Sequence, residues 1–270
     1  MTGRARALRR LAITATLVLA AAGWNGGIGE AHKAITSKYH FNEDVFPVVH
    51  ERCGRCHVDG GVAPMSLMTF DDAAPWAESL RLELLSNDTP PWHPLTLSAR
   101  ETDLLLVWAT GGAPRGSVDK APPPVALINE WGSGAPDVVV PMREAFTLPG
   151  ATTEATHDVM LALAGSSGRA ITAIDLLPGT PAIVRSATLR LKSADGTTHD
   201  LATWMPGRGA AVPLPTPVRV ADGATILARV VYKRTWKYEG QNLSDKSVVG
   251  LYFGSAATKT SPTRAPAPRR

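Results

Sequence analysis

Cysteine is scarce in this chain of 270 residues, because Cys53 and Cys56 are the only two. With both thiols inside one short stretch, no disulfide framework can tie distant segments together. The fold must therefore be held by hydrophobic cores, and a composition that is 44% hydrophobic is sufficient to build them. The length predicts one large domain or two domains of ordinary size.

A hydrophobic run long enough to cross a bilayer is also lacking. The apolar run Leu11–Ala22 falls short of the roughly 20 residues that a transmembrane helix needs. Arginines precede this run, a pattern typical of a secretory signal peptide, which we place at residues 1–34. Two small-residue stretches, Ala20–Ala22 and Ala31–Ala34, are candidate cleavage sites. We therefore expect an exported, periplasmic protein that touches the membrane only if the leader stays uncleaved.

No basic stripe interleaved with aromatic residues runs along the chain, so a nucleic-acid partner is not expected. The formal net charge of +4 is spread unevenly. Residues 35–117 contain six Lys and Arg against eleven Asp and Glu, a net charge of −5. This acidic surplus has two interpretations: it keeps the segment soluble, or it steers a basic partner protein towards it.

The two cysteines belong to the sequence Cys53-Gly54-Arg55-Cys56-His57, which has the pattern C-x-x-C-H. Two thiols at this spacing can add across the two vinyl groups of one haem, and the adjacent imidazole can then bind the iron. A thioredoxin-like redox pair, half of a zinc site and a structural disulfide are the alternatives. No βαβ pattern surrounds the motif, a zinc site needs a second ligand pair, and none of the three explains the histidine. The motif therefore predicts one haem c, bound through Cys53 and Cys56, with His57 as the proximal iron ligand.

Three short helices are predicted around this motif. The first ends directly before Cys53 and has Pro47 in its first turn. The third follows Ser98, which forms a capping box with Glu101. The predicted ranges are about 44–52, about 71–85 and 99 to about 110. Together they predict a small all-α cytochrome c domain over residues 35–117.

A proline-rich linker is predicted at residues 118–127. The residue pattern after it is typical of a β-protein. Strand-like runs separated by Pro-Gly and Asp-Gly turns predict a β-sandwich at residues 128–254. The runs are 137–140, 170–176, 183–192, 219–220, 226–232 and 247–253. Residues 255–270 have too little apolar content to fold and predict a disordered basic tail. The predicted fold class is thus α + β and multidomain, with a small all-α domain before an all-β, jelly-roll-like sandwich.

The layout resembles secreted bacterial cytochromes c in which the haem domain is fused to a module similar to the copper type II, ascorbate-dependent monooxygenases. The stretches that carry the resemblance to the haem domain are Glu51–His57, Val62–Pro64, Pro90–Trp92, Trp108–Ala109 and Gly112–Pro114. Those that resemble the copper module are Glu144–Pro149, Trp204–Gly207 and Val249–Phe253. The haem motif is the more specific part of this resemblance, which spans nearly all of the chain after the leader.

The resemblance to the copper module fails at the positions that would bind copper. Where the family carries a His-His pair, this chain has Arg185 and Ser186. Where the family carries His-Tyr-His, the chain has Val231-Tyr232-Lys233. Copper of this type needs imidazole nitrogens, and the remaining His157 and His199 are isolated in polar surroundings. The resemblance therefore implies a sandwich without copper.

The haem part departs from its family at the distal iron ligand. The family usually has a methionine directly before Pro-Pro-Trp, and this chain has Thr89 there. His93 lies in the same loop and is the candidate distal ligand. Met65 and Met68 are less favoured, because they follow His57 closely and are expected to line the proximal side or the haem edge. An open or water-bound iron is the other alternative.

These observations predict a periplasmic electron-transfer cytochrome c whose sandwich serves as a docking or assembly domain. Its partner would be a redox protein, either a basic one or a larger membrane complex. Two alternatives come from other classes. One is a copper-dependent monooxygenase fed by its own haem, which would make the protein an oxidoreductase. The other is a five-coordinate haem protein that reacts with gases or peroxide.

Overall fold

The computed structural model describes residues 34–86 and 97–254. The chain divides into two units, Met1–Thr36 and Ser37–Arg270, and every element below belongs to the second. Strands make up 31% of the described residues and helices 22%. The leader up to residue 33, the basic tail and the loop that carries Thr89 and His93 lie outside the described residues.

The first part of the second unit is built from short helices. None of the described helices is long and apolar enough to cross a membrane. A π-helical turn at Phe41–Val45 runs directly into the first α-helix. The helices are α1 (Phe46–Arg52), α2 (Phe70–Ala73), α3 (Ala77–Ser86) and α4 (Ala99–Thr110), with 3₁₀ turns at Ala74–Trp76 and Val118–Lys120.

The second predicted helix, at about 71–85, is interrupted in its middle. Pro75 lies in the 3₁₀ turn that separates α2 from α3. Because proline has no N–H to donate to the carbonyl four residues earlier, the α-helical bonding pattern cannot continue through this position. The helix also begins one residue early, since Thr69 Oγ1 accepts a hydrogen bond of 3.1 Å from the backbone N–H of Asp72.

The capping box predicted at the start of α4 is confirmed. Ser98 Oγ accepts the backbone N–H of Glu101 at 3.2 Å, and Glu101 Oε2 accepts the N–H of Ser98 at 2.7 Å. Arg52 Nε also donates to Glu101 Oε1, at 2.9 Å. The hydrogen bonds from Ser98, followed by that from Arg52, lower the pKa of Glu101 to about 2. Glu101 thus joins the end of α1 to the start of α4.

The helices pack around a core centred on Phe41 and Trp108, both 0% exposed. The ring of Phe41 lies 5.8 Å from that of Trp108 and 5.9 Å from that of Phe70. Trp108 Nε1 donates to the carbonyl of Pro114 at 3.0 Å, so its buried polar atom is satisfied. Val49 of α1 and Leu105 of α4 complete this centre.

The second part of the unit is a β-sandwich. Two four-stranded antiparallel sheets, ordered β1-β10-β4-β7 and β3-β8-β5-β6, enclose one hydrophobic core, and β2 pairs with β9 beside them. The strands are β1 (Val138–Pro141), β2 (Phe146–Leu148), β3 (Glu154–Ala162), β4 (Ala170–Leu177), β5 (Val184–Lys192), β6 (Thr198–Trp204), β7 (Val212–Arg219), β8 (Thr225–Lys233), β9 (Leu243–Asp245) and β10 (Val248–Phe253). The mostly β fold with a few short helices agrees with the sandwich part of the predicted fold class.

The segment that precedes the sandwich has no regular structure after its 3₁₀ turn, but it is packed. Val125 and Leu127 lie against the helical core. Further along, Asn129 Nδ2 donates to the carbonyl of Pro178 at 2.8 Å, and Ser133 Oγ accepts the N–H of Ala211 at 2.9 Å. The segment therefore contacts both the helices and the sandwich along its length.

Candidate functional site

The two thiols and the imidazole are brought together by a single turn at the end of α1. The N–H of Cys53 donates to the carbonyl of Val49 at 2.9 Å and closes the helix. The carbonyl of Cys53 then accepts the N–H groups of Cys56 and His57, at 3.0 Å and 2.9 Å. Because both bonds converge on one oxygen, the backbone reverses at once and the three side chains leave the same short loop.

Gly54 is required inside this turn by lack of space. A Cβ placed on it would lie 2.5 Å from the carbonyl oxygen of His50 and 3.3 Å from Met68 Sδ. The first distance is one that real side chains do not adopt, and the contact is with backbone that cannot swing away. The turn that presents Cys53 and Cys56 thus depends on a glycine at this position.

Both thiols are free and half-buried. Burial, with a smaller contribution from the neighbouring Cys56, raises the pKa of Cys53 to about 11. Burial also raises the pKa of Cys56, against the opposing positive charges of Arg185 and Arg55. Both groups are therefore neutral thiols at physiological pH and lack the low pKa that a nucleophilic redox cysteine has.

The imidazole of His57 is oriented by the loop that follows it. Its Nδ1 lies 3.2 Å from the carbonyl oxygen of Met65. A carbonyl can only accept, so Nδ1 is the donor, and in the neutral imidazole the lone pair is then on Nε2. A second backbone bond, from the N–H of Leu67 to the carbonyl of His57 at 3.0 Å, fixes the same loop. This is the arrangement in which a histidine is prepared to bind a metal through Nε2.

The two methionines weighed as distal ligands lie on the His57 side of this loop. The carbonyl of Met65 is the acceptor of the His57 bond. Met68 is 3% exposed and packs in the helical core against Gly54. His93 lies outside the described residues. Of the predicted site residues, the structure therefore brings together Cys53, Cys56, His57 and the two methionines.

Residues of the sandwich contact the same turn from outside. The guanidinium of Arg55 occupies the space where a Cβ on Gly209 would stand. Lys237 donates to the carboxylate of Asp59. The positive charge of Arg185 opposes the rise in the pKa of Cys56. The loop that carries the motif is thus in contact with two separate stretches of the sandwich, at Gly209 and at Lys237.

A cavity of about 400 Å³ opens beside this contact. The ring of Trp236 stacks on that of Trp76, with centroids 6.3 Å apart and planes inclined by 26°. Trp236 is nevertheless 61% exposed, so the cavity is open to solvent at this side. Its lining residues are Asp59, Pro64, Met65, Ser66, Asp71, Asp72, Pro75, Trp76, Trp236 and Lys237.

The positions where the resemblance predicts that copper ligands are lost have structural partners in the sandwich. Ser186 of β5 faces Val231 of β8 in the sheet. Lys233 forms an ion pair of 3.6 Å with Glu154. Tyr232 is fully buried, and its hydroxyl donates to Asp245 Oδ2 at 3.0 Å. These contacts stabilise the fold of the sandwich.

The two remaining histidines of the sandwich lie on opposite edge strands of one sheet. His157 on β3 is half-buried and stacks on Phe146, with centroids 4.8 Å apart. His199 on β6 is exposed. Two strands lie between β3 and β6, so about 14 Å or more separates the two positions at the usual strand spacing. They cannot share one metal ion, and no group of three or more His, Cys, Asp or Glu suited to a metal occurs within residues 34–86 and 97–254.

No family model matches the chain, and no curated protein matches it. Among solved structures, the comparison gives "Structure of infectious bursal disease virus Gx strain", with 16% sequence identity and a TM-score of 0.17. That match covers 46% of this chain and 34% of the viral chain, so the protein spans about a third of the length of the structure it matches. At this TM-score the match carries no inference about fold or function.

The sandwich residues at the turn were not predicted as site residues. Arg185 was noted only as a replacement for a copper ligand, and Gly209, Trp236 and Lys237 carried no signal of a site. The contacts that bring Gly209 to Arg55 and Lys237 to Asp59 join positions far apart in sequence, which spacing along the chain does not reveal.

Proposed function

We propose that the protein is an exported electron-transfer cytochrome c with one covalently bound haem. The observation that carries the proposal is the turn at the end of α1, where two free thiols and the oriented imidazole of His57 leave one loop. Cys53 and Cys56 would hold the haem, and His57 Nε2 would bind its iron. The haem, when bound, would supply a centre that takes up and releases one electron.

The donor set fits this group chemically. Each thiol would add its sulfur and its hydrogen across one vinyl double bond, so that no atom leaves and no electron is transferred. Neutral thiols are compatible with this addition, and the hydrogen bond to Met65 keeps the imidazole in the tautomer that binds iron. A thioredoxin-like pair would make no use of the orientation of His57. A zinc site would need a further ligand, and no group of three or more His, Cys, Asp or Glu suited to a metal occurs in the part of the chain that the structure describes.

The rest of the chain has supporting roles in this proposal. The helices at 35–117 form the cytochrome c domain, and its acidic surplus attracts a basic redox partner or a larger membrane complex. The sandwich, derived from a copper monooxygenase-like module, is a docking or assembly domain that binds no copper. The pairing of Lys233 with Glu154 and the separation of His157 from His199 support the last point.

Mass spectrometry of the purified protein tests the proposal directly. Expressed in a host competent in cytochrome c maturation, the chain should carry one haem that survives denaturation, since thioether bonds are covalent. Metal analysis of the same preparation should find one iron per chain and copper well below one per chain.

Two other results would count against the proposal. Free thiols at both cysteines in such a host would contradict the proposal. One tightly bound copper per chain, with nitrogen hyperfine structure in its paramagnetic resonance spectrum, would instead favour the monooxygenase alternative.

The distal ligand gives a second prediction. We propose that His93 binds the open face of the iron, because Thr89 replaces the family's methionine and Met65 and Met68 lie on the His57 side. His93→Ala should then change the low-spin spectrum of the reduced protein and open the iron to carbon monoxide. Met65→Leu is the matched control and should leave the spectrum unchanged.

A wild-type protein that binds carbon monoxide as readily as the His93→Ala variant would contradict this assignment. It would place the protein with the five-coordinate, gas-reactive or peroxide-reactive haem proteins. A spectral change in Met65→Leu alone would instead assign the distal position to Met65.

A further inference from the structure

We propose that the cavity between Trp76 and Trp236 is the docking groove for a basic redox partner protein, which places a lysine or arginine side chain in it. The cavity has a volume of about 400 Å³ and is lined by residues of both the helical part and the sandwich. This inference rests on the proposed function and deepens it, because it names the surface at which the electron is exchanged.

The docking groove has walls from two distant stretches of the chain. Trp76 lies in the 3₁₀ turn between α2 and α3, and Trp236 begins the 3₁₀ turn Trp236–Tyr238 after β8. Their rings stack with centroids 6.3 Å apart, and Lys237 donates to Asp59 beside them. A partner seated here therefore contacts the helices and the sandwich at the same time.

A buried arginine fixes the sandwich wall of the docking groove. Arg234, which closely precedes Trp236, is 7% exposed. Its guanidinium donates to the carbonyl of Pro149 at 2.6 Å, and its backbone N–H donates to the carbonyl of Thr153 at 2.8 Å. Because these bonds tie the chain to the loop between β2 and β3, the wall is formed before a partner binds, which lowers the entropic cost of docking.

The docking groove is one hydrogen bond away from the proposed iron ligand. Pro64 and Met65 are among its lining residues, and the carbonyl of Met65 accepts the bond from His57 Nδ1 at 3.2 Å. The iron would be bound by Nε2, so the Met65 carbonyl lies on the side of the imidazole that faces away from the haem. A partner in the groove is thus separated from the axial histidine by the thickness of one loop.

The charge of the docking groove decides which kind of partner fits. Its lining residues include three carboxylates, those of Asp59, Asp71 and Asp72, and one ammonium group, that of Lys237, so their net charge is −2. All three carboxylates are exposed. A basic protein is therefore attracted to the groove, and an acidic one is repelled.

Asp72 is the carboxylate that receives the cation of the partner. The other two carboxylates already have cationic partners within the chain. Asp72 forms no ion pair with any residue in the described ranges and accepts a hydrogen bond of 2.8 Å from the hydroxyl of Thr69. Trp236, which is 61% exposed in the same groove, offers an aromatic surface to the stem and charge of a lysine or arginine.

Electron exchange between the haem-loaded full chain and a small basic cytochrome c, followed by stopped flow at low ionic strength, tests this assignment. One electron passes from the reduced haem to the oxidised one, and no other group is transferred. Asp72→Asn should slow the exchange about two- to fivefold, because it removes one exposed charge and keeps an acceptor for Thr69. Trp236→Ala should slow it about tenfold, since it removes the aromatic anchor. Added salt should slow the wild type more than Asp72→Asn.

Asp103→Asn is the matched control, because it removes the same charge from an exposed residue of α4 that is not among the lining residues. It should exchange electrons at close to the wild-type rate. Exchange with hexacyanoferrate(III), a small anion that needs no docking groove, should not slow in any variant. This second reagent separates loss of docking from damage to the redox centre.

Equal slowing in Asp72→Asn and Asp103→Asn, a wild-type rate in Trp236→Ala, or equal slowing with hexacyanoferrate(III) would overturn the inference and leave the cytochrome proposal standing. A wild-type dimer that Trp236→Ala dissociates in analytical ultracentrifugation would also overturn it, because the groove would then hold a second copy of this chain. A wild-type protein without covalent haem would overturn both proposals.

Discussion

The double variant Cys53→Ala/Cys56→Ala is expected to lose all covalently bound haem and to keep its fold. Loss should be complete, because the chain has no other cysteine to form a thioether. The fold should persist, since both side chains are half-buried and neither forms a disulfide. Mass spectrometry of the denatured protein measures the first effect, and circular dichroism of the sheets measures the second.

The single variants are the matched controls for this experiment. Cys53→Ala and Cys56→Ala each keep one thiol on the turn, so each should still carry a haem adduct through one bond, at lower yield. A covalent adduct that persists in the double variant would show that another residue holds the haem. An adduct lost equally in both single variants would show that attachment requires the two bonds together.

The strands that could be predicted from the sequence are those whose signal lies in their own residues. β4, β5, β8 and β10 are rich in Val, Ile and Leu and were predicted within one or two residues. β3 was missed because small or polar residues, Ala155 and His157, occupy part of its inner face. Their burial comes from pairing with β8, which is a property of the tertiary structure.

β7 was missed for a different reason, because its sequence contains residues that argue against a strand. Pro213, Pro215 and Pro217 interrupt its sequence, and proline in a run argues against a strand. The structure accommodates them because β7 is an edge strand, bonded to β4 on one side in its sheet. All three prolines are exposed. A local pattern cannot distinguish an edge strand from a loop, so only the 219–220 end of β7 was predicted.

The candidate site likewise has one part that the local sequence predicts and another part that depends on the tertiary structure. The Cys53–His57 turn is a local motif, and its spacing alone predicts haem attachment. The contacts of Gly209 with Arg55 and of Lys237 with Asp59 join residues more than a hundred positions apart in sequence, and no local rule anticipates them. The segment at 118–127 is a further example, because its prolines predicted a stiff spacer while Val125 and Leu127 pack against the helical core.

Because Val125 and Leu127 pack against the helices, the segment before the sandwich is not a free spacer between the sandwich and the proposed haem site. A spacer would let the sandwich bind a partner without any effect on the iron. A sandwich that contacts Arg55 and Asp59 lies directly against the loop that is proposed to hold the haem. A partner bound to the sandwich near Gly209 or Lys237 would therefore also be close to the C-x-x-C-H turn.

Trp108→Ala is expected to have the largest effect on stability in the helical part, lowering the free energy of unfolding by about 3–5 kcal/mol. The ring is 0% exposed and packs on Phe41, and its Nε1 donates to Pro114 at 3.0 Å. Truncation would leave a cavity in the centre of the core and remove one of the two hydrogen bonds that the carbonyl of Pro114 accepts, the other coming from the N–H of Phe41 at 3.0 Å. Urea denaturation of the wild type and the variant gives the difference.

Trp236→Ala is the control, because it is the same truncation at a residue that is 61% exposed. It removes the stacking contact with Trp76, for which a cost of about 0.5–1.5 kcal/mol is expected. Trp108→Phe helps to separate the two contributions at the buried site, since it keeps an aromatic ring in the core, removes the hydrogen bond to Pro114 and loses only part of the ring volume. A loss for Trp108→Ala no greater than that for Trp236→Ala would mean that the helical core is not organised around Trp108. The C-x-x-C-H turn would then have to be held mainly by the sandwich.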